Sequence, residues 1–286
     1  MNLLHAQEVA IAAAKEAGAL LRRGVEESKV VSRKSSVVDL LTEHDQAAES
    51  IILERLRQAF PDHRYITEES VTDDEHSNDS PFTWYIDPLD GTNNFTHGYP
   101  VFSTSIALYE NSQPAMGVVY DPMRDERFQS AAGHGAFLFS ANGNKRLRVS
   151  QTIELHDSLL ATGFPYDRHT SNDDNLVQHG TFLKKALGVR RSGSAALDLA
   201  FVAAGRLDGF WEYRLSSWDV AAGVCLIQEA GGTVSDIAGD PLSISPRVSL
   251  VASNGRIHSA MISILAKVTE QSQGMAPFLL QKFENE

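Results

Sequence analysis

The stretch Trp84 to Pro100, WYIDPLDGTNNFTHGYP, holds two carboxylates, a glycine and a hydroxyl at close spacing. An apolar run of Trp84, Tyr85 and Ile86 delivers Asp87, and Pro88 is expected to stop the strand because it has no N–H for the ladder. Asp90 follows three residues after Asp87, Gly91 permits a sharp turn, and Thr92 supplies a hydroxyl where a short helix could start. These are the parts of a hard-cation site that faces a phosphate. Taken alone, the same loop reads as a plain turn, since Pro and Asp-Gly are ordinary turn residues.

Other junctions carry carboxylates that could converge on this loop. Glu68 and Glu69 end a predicted strand, and Trp218-Asp219 opens a helix of small residues. Each has a simpler account. Asp219 also reads as an N-terminal residue stabilised by the helix dipole. Asp45 is explained by a capping box with Thr42, and Lys34 by a solvated lysine. Gly193 to Ala196 suits close packing at a helix start, and equally offers N–H groups to an oxyanion or hydroxyl. The ten histidines show no ligand spacing, and Cys225 sits on a helix face with Ala221, Ala222 and Leu226, where a buried thiol is expected. There is no GxGxxG after a strand, no Walker lysine loop and no GxSxG elbow, so nucleotide-binding and serine-hydrolase readings have no foothold.

The elements that must position these groups change character along the chain. Helices are expected over Leu3 to Glu27 and from Thr42 to before Pro61, with short strands at Val30 to Ser32 and Arg64 to Thr67. Val71 to Ser80 is polar and acidic and reads as a mobile surface loop. Val101 to Tyr109, Ala115 to Tyr120 and Glu126 to Ala132 form an antiparallel meander. From about Leu147 strands and helices alternate. The strands are Leu159 to Thr162, Val189 to Arg191, Leu207 to Tyr213, Thr233 to Ile237 and Leu250 to Ala252. The helices are Asn172 to Leu187, Ser194 to Ala204, Trp218 to Ala230 and Arg256 to Val268. An α+β half over residues 1–146, carrying most candidate ligands, is thus expected to precede an α/β half over 147–269, which carries Asp219. Residues 270–286 read as a tail or a partner-contacting segment.

At 286 residues, with 42% hydrophobic and 22% charged residues, the composition is that of a globular chain. A net charge of −12 argues against a nucleic-acid surface, and an anionic substrate would need local positive charge such as bound divalent cations. No apolar run is long enough to span a membrane, and Met1 to Arg23 lacks a signal-peptide pattern. With its lone cysteine, the chain is expected in the cytoplasm.

DPLDGTNNFTHG at Asp87 to Gly98 and WDVAAGVCLIQEAGG at Trp218 to Gly232 resemble the two signatures of the inositol monophosphatase family. ITEES at Ile66 to Ser70, GSAALD at Gly193 to Asp198 and RKSSVVDLLTEHD at Arg33 to Asp45 match further blocks in the family's order. VVYDPMRDERF at Val118 to Phe128 places the resemblance nearest the bacterial inositol-1-monophosphatase branch.

The resemblance implies a layered αβαβα sandwich of the inositol monophosphatase and fructose bisphosphatase type, a homodimer, and hydrolysis of a phosphate monoester with two or three Mg2+ ions per site. Inhibition by Li+ is common in such enzymes. By motif, Glu68, Asp87 and the carbonyl of Leu89 would hold one ion, and Asp87, Asp90 and Asp219 a second. Gly91 and Thr92 would present N–H groups to the phosphate. Glu68 and Thr92 would orient the attacking water, and Asp45 would accept from Thr92. Glu212, with Gly193, Ser194 and Ala195, would meet the alcohol, and a water near Asp219 could protonate the leaving oxygen. Retention of Glu212 favours an inositol phosphate, whereas Tyr213 to Ser217 depart from the animal enzymes on the leaving-group side. Histidinol phosphate or a sugar (bis)phosphate is the alternative substrate. A partner-binding regulatory role with secondary activity is the alternative class.

Overall fold

Asn2 opens helix α1 (Leu3–Gly24), its side chain accepting from the N–H groups of Leu4 and His5. The helix buries a stripe of alanines, Ala6, Ala10, Ala13, Ala14 and Ala17. Thr42 opens α2 (Glu43–Ala59) in the expected capping box, with Asp45 as the reciprocal carboxylate. Between the two helices, β1 (Val31–Arg33) and β2 (Leu40–Thr42) pair as an antiparallel ribbon. The structure is a computed structural model that describes residues 1–27, 31–34, 40–70, 80–168 and 174–268. Residues 71–79 of the loop expected at Val71 to Ser80, and the tail expected at 270–286, lie outside the described residues.

Seven strands form the first sheet in sequence order. They are β3 (Arg64–Thr67), β4 (Phe82–Asp90), β5 (Ser103–Glu110), β6 (Gln113–Asp121), β7 (Glu126–Ala131), β8 (Gly135–Ser140) and β9 (Gly143–Arg146). β3 runs parallel to β4 and every later pair is antiparallel. The meander therefore extends through a β8–β9 hairpin that the sequence does not announce. All of β9 is exposed, so it lacks the apolar alternation that marks a half-buried strand.

Pro88 does not end β4. The ladder pairs Asp87 with Ser105, skips, and resumes with Asp90 opposite Ser103, while the Pro88 carbonyl accepts from the Thr104 hydroxyl. Three steps on β4 thus oppose two on β5, which is a bulge. The missing N–H falls at the extra residue, where the ladder needs none. Asp87 and Asp90, an odd number of residues apart, would face opposite sides of a regular strand, and the bulge allows both to serve one side.

The second sheet has the order β11-β10-β12-β14-β13. It comprises β10 (Leu159–Thr162), β11 (Gly188–Arg190), β12 (Gly209–Ser216), β13 (Thr233–Asp236) and β14 (Arg247–Ser253). β10 is parallel to both β11 and β12, and β14 is antiparallel to β12 and β13. Helix α3 (Thr92–Thr96) follows β4 directly, and α5 (Ala195–Ala203) and α6 (Ser217–Glu229) follow later. Helix α4 (Leu176–Leu183) is shorter than the Asn172 to Leu187 expected. Asn175 has a left-handed φ of 69°, and its buried side chain donates to Thr162 Oγ1 and the Gly163 carbonyl and accepts from Trp211 Nε1. These bonds hold it to the sheet, so the helix starts beyond it. A last helix, α7, spans 258–268.

Strand alternation sorts the core into three clusters. Trp84, Ile86, Ile106, Leu108 and Val118 face α1 and α2, while Tyr85, Ala107, Tyr109 and Val119 face α5 and α6. The second sheet presents Phe210, Leu250 and Ala252 to α5 and α6 and Trp211 and Val251 to Phe182, Met261 and Leu265. Two helices, a sheet, two helices, a sheet and two helices give the αβαβα sandwich that the resemblance implies.

The middle layer packs tightly against the first sheet at Gly117. A Cβ there would lie 2.6 Å from the carbonyl oxygen of Ala222 on α6. Gly117→Ala must separate α6 from β6 and is expected to cost about 1–3 kcal/mol. Chemical denaturation measures this, and an unchanged midpoint would show that the layers can part freely.

Candidate active site

The bulge of β4, the end of β12 and the N-termini of α3, α5 and α6 meet at one cleft, open to solvent at its mouth. Glu68, Asp87, Leu89, Asp90, Gly91 and Thr92 line one side. Gly193, Ser194, Ala195, Glu212 and Asp219 line the rest. Asp45 stands behind this wall, fully buried, and accepts from Thr92 Oγ1 at 2.9 Å through Oδ1. Its Oδ2 accepts from the N–H of Thr42 at 2.8 Å. Capping the helix and orienting Thr92 are therefore compatible, because each oxygen serves one of them.

Local structure fixes each carboxylate. Asp87 Oδ1 accepts from the Leu89 N–H at 3.0 Å, an Asx turn inside the bulge. Gly91, at φ 100°, turns the chain into α3, whose first N–H groups have no carbonyl a turn earlier to bond. Asp90 rests on the start of α5, accepting from Ser194 Oγ, from Ala195 N at 3.3 Å and from Ala196 N at 2.8 Å. The donors that the sequence offers to an oxyanion or hydroxyl at Gly193 to Ala196 are thus partly taken by this nearby buried anion. Asp219 lies in the first turn of α6 and accepts from the Ser216 N–H at 2.7 Å. In β12, Phe210 faces the middle core and Trp211 the outer one, so the period of two turns Glu212 toward the middle layer.

These acids disfavour their own ionisation. Burial, then the charges of Glu68, Asp90 and Asp219, push Asp87 well above the usual carboxylate range. Asp219 is raised well by burial and by Glu68 and Asp90, and Glu68 by burial against the pull of Lys34. Asp90 is raised to about 6 by burial, with its Ser194 and Ala196 donors pulling the other way. Glu212 is raised well by burial and by Asp219 and Asp198. Lys34 bonds Glu68 at 2.8 Å and Glu69 at 2.6 Å. Among the described residues no lysine or arginine pairs directly with Asp87, Asp90 or Asp219.

Among the described residues no three of these groups are drawn round one point as a ready-made cage. The chemistry of the donors nevertheless fits a hard divalent cation. All are oxygens, they share one cleft, and their mutual repulsion is what an added positive charge would relieve.

Several lining residues carry no role in the sequence reading. Asp198, one helical turn beyond Ser194, accepts from Ser192 Oγ at 2.6 Å and is pushed up to about 8 by burial. It belongs to the GSAALD block, and its spacing from Ser194 is the available signal. Gly163 to Tyr166 line the cleft just past the end of β10, and Gly163 and Pro165 after a strand are the turn signal that could have marked them. Arg191, Arg214 and Arg247 line its wall as well, with no motif to announce them. Arg214 takes a left-handed φ of 57° in the irregular stretch between Glu212 and Leu215, and its guanidinium forks onto Asp167 at 2.8 and 2.9 Å.

The model of the inositol monophosphatase family matches residues 2–270. An inositol-1-monophosphatase of Synechocystis is 43% identical over 276 residues, 96% of this chain and 93% of that protein. The Nus factor SuhB of Escherichia coli K12 is 43% identical over 259 residues, 89% of this chain and 93% of that protein. In structure, the inositol monophosphatase of Anabaena superposes with a TM-score of 0.81 at 42% identity, covering 93% of this chain and 97% of that one. Sequence over the whole sandwich and the fold itself agree, and the chain belongs to the inositol monophosphatase family, a family of phosphoric monoester hydrolases.

Proposed function

We propose that this protein hydrolyses small phosphate monoesters, myo-inositol monophosphate before others, in a Mg2+-dependent reaction. The observation that carries the reading is the cleft itself, where four carboxylates face a helix N-terminus on one side and Glu212 on the other. Glu68, Asp87, Asp90, Asp219 and the Leu89 carbonyl would hold two or three Mg2+. Bound there, the ions supply Lewis acidity and make water a better nucleophile.

The chain's own groups do the rest. N–H groups of Gly91 and Thr92 bind phosphate oxygens at the start of α3. Thr92 donates its proton to Asp45, which leaves its oxygen lone pairs to accept from the attacking water. Glu68 accepts the same water's second hydrogen. A water–phosphorus bond forms as the phosphorus–alcohol bond breaks, and a proton delivered from beside Asp219 completes the leaving alcohol. Glu212, with Ser194 and Ala195, meets the hydroxyls of that alcohol. A homodimer accords with the reading, since Leu176, Val177, Leu183 and Leu187 expose apolar surface on and beside α4.

A second reading comes from relatives of equal identity that bear the name Nus factor. On that reading the chain binds a macromolecular partner and its turnover is secondary. The complete carboxylate set favours hydrolysis as the primary role.

Phosphate release across a monoester panel tests the substrate. Turnover of inositol 1-phosphate is expected to exceed that of histidinol phosphate and sugar phosphates, and the reverse order would sink the substrate choice. Absence of Mg2+-dependent release on every monoester would favour the partner reading. Asp90→Asn and Asp219→Asn are each expected to lower the rate about 100-fold or more with the fold retained. Near-normal activity in both would refute their assignment as ligands.

The raised acids also predict a pH dependence. Asp90 (about 6), Glu69 (about 7, from burial and Glu68) and Asp198 (about 8) hold protons more tightly folded than unfolded. The metal-free protein is therefore most stable at the acidic end of the window and loses stability as pH rises from about 4 to about 8. Mg2+ is expected to raise Tm most at the upper end. A Tm in EDTA that climbs over this window, with no Mg2+ effect at its top, would contradict the cation reading.

A further inference from the structure

Glu49 lies on α2, outside the cleft, and is buried with 5% of its surface exposed. Its carboxylate accepts from Thr67 Oγ1, from the Glu69 N–H at 2.9 Å and from Ser70 Oγ. These donors flank Glu68 on both sides and leave the Glu68 carboxylate untouched. Thr67 is the last residue of β3, so the chain at Glu68 and Glu69 has left the ladder. Without β pairing there, α2 holds the backbone that aims Glu68, while Lys34 bonds the Glu68 and Glu69 carboxylates themselves. Asp45 and Glu49 stand four residues apart and so share one face of α2. One helix face thus grips Thr92 through Asp45 and the segment carrying Glu68 through Glu49.

We propose that Glu49 is the positioning residue for Glu68, fixing it relative to Thr92 so that the cleft is preset for divalent cations. The inference rests on the reading of Glu68 as a cation ligand. Glu49 touches neither substrate nor cation and acts through three hydrogen bonds to the neighbouring residues. Groups that orient metal ligands from behind typically account for 10–100-fold in affinity.

The geometry also sorts the variants. Glu49→Gln keeps shape and bonding capacity. One amide oxygen can accept from Thr67 and Glu69, and the amide nitrogen can donate to a Ser70 hydroxyl turned to accept. Glu49→Ala removes all three bonds.

Calorimetric titration of Mg2+ into wild type, Glu49→Gln and Glu49→Ala, with Tm recorded for each, separates positioning from general stability. Glu49→Ala is expected to weaken Mg2+ binding about 10–100-fold. Glu49→Gln is expected to recover most of that loss, and the Mg2+ concentration for half-maximal phosphate release should move in step. Should Glu49→Ala fail to fold, Thr67→Val with Ser70→Ala removes two of the three bonds and is expected to shift Mg2+ affinity in the same direction. Wild-type Mg2+ affinity in a folded Glu49→Ala, or equal impairment by Gln and Ala, overturns the proposal. A wild-type protein that takes up no Mg2+ overturns the cation reading and this inference together, whereas wild-type binding with unchanged variants overturns the inference alone.

Discussion

Mutual repulsion among buried carboxylates is the constraint around which the rest of the molecule is arranged. Burial raises the cost of ionising each of them, and neighbouring charges add to it: Glu68, Asp90 and Asp219 for Asp87, Glu68 and Asp90 for Asp219, and Asp219 for Glu212. The fold answers with oriented donors in place of paired lysines or arginines. Asp87 takes a backbone N–H within its own bulge, Asp90 takes two from α5, and Asp219 takes one from the entry to α6. Helix N-termini carry partial positive charge, so bringing α5 and α6 to the cleft lowers the penalty and leaves the cleft open. A direct ion pair to each acid would have lowered it as well, at the cost of filling the cleft with the partner's side chain.

The two capping boxes show how stability and chemistry share residues. Asp45 and Asp219 both sit in the first turn of a helix, where a carboxylate is expected for local reasons alone. Each has a second oxygen, and the tertiary fold decides what that oxygen meets. For Asp45 it is Thr92, brought from the other end of β4. Local accounts and functional accounts of such residues are therefore not rivals. The helix provides the address, and the sheet provides the neighbour.

Much of this was legible beforehand. The Thr42–Asp45 box and the strands at Arg64 to Thr67 and Leu159 to Thr162 follow from local pattern, and the structure places them as expected. The carboxylates on separate segments do meet in one cleft. What escaped depends on distant partners. The bulge at Pro88 is set by pairing with β5, which no local pattern specifies. β9 carries no buried residue, and Asn175 is drawn from helical geometry by Thr162 and Trp211. No motif singles out Glu49, because its partners are brought to it only by β3 and the residues that follow it. Arg214 adopts a backbone conformation that arginine seldom takes, and nothing in its neighbours forecasts it.

The shared middle layer has a consequence for how the chain is made. The seven-stranded sheet is complete at Arg146, yet the helices that cover its second face run from Ala195 to Glu229. While the ribosome is still producing that later segment, Tyr109, Val119, Phe128 and Leu138 lack the layer that covers them in the finished fold. A nascent chain in this condition presents an apolar surface, and such exposed faces are where partly synthesised proteins stick to one another. Asp219 is made long after Asp87 and Asp90, so the three acids can meet only once the covering layer has been synthesised.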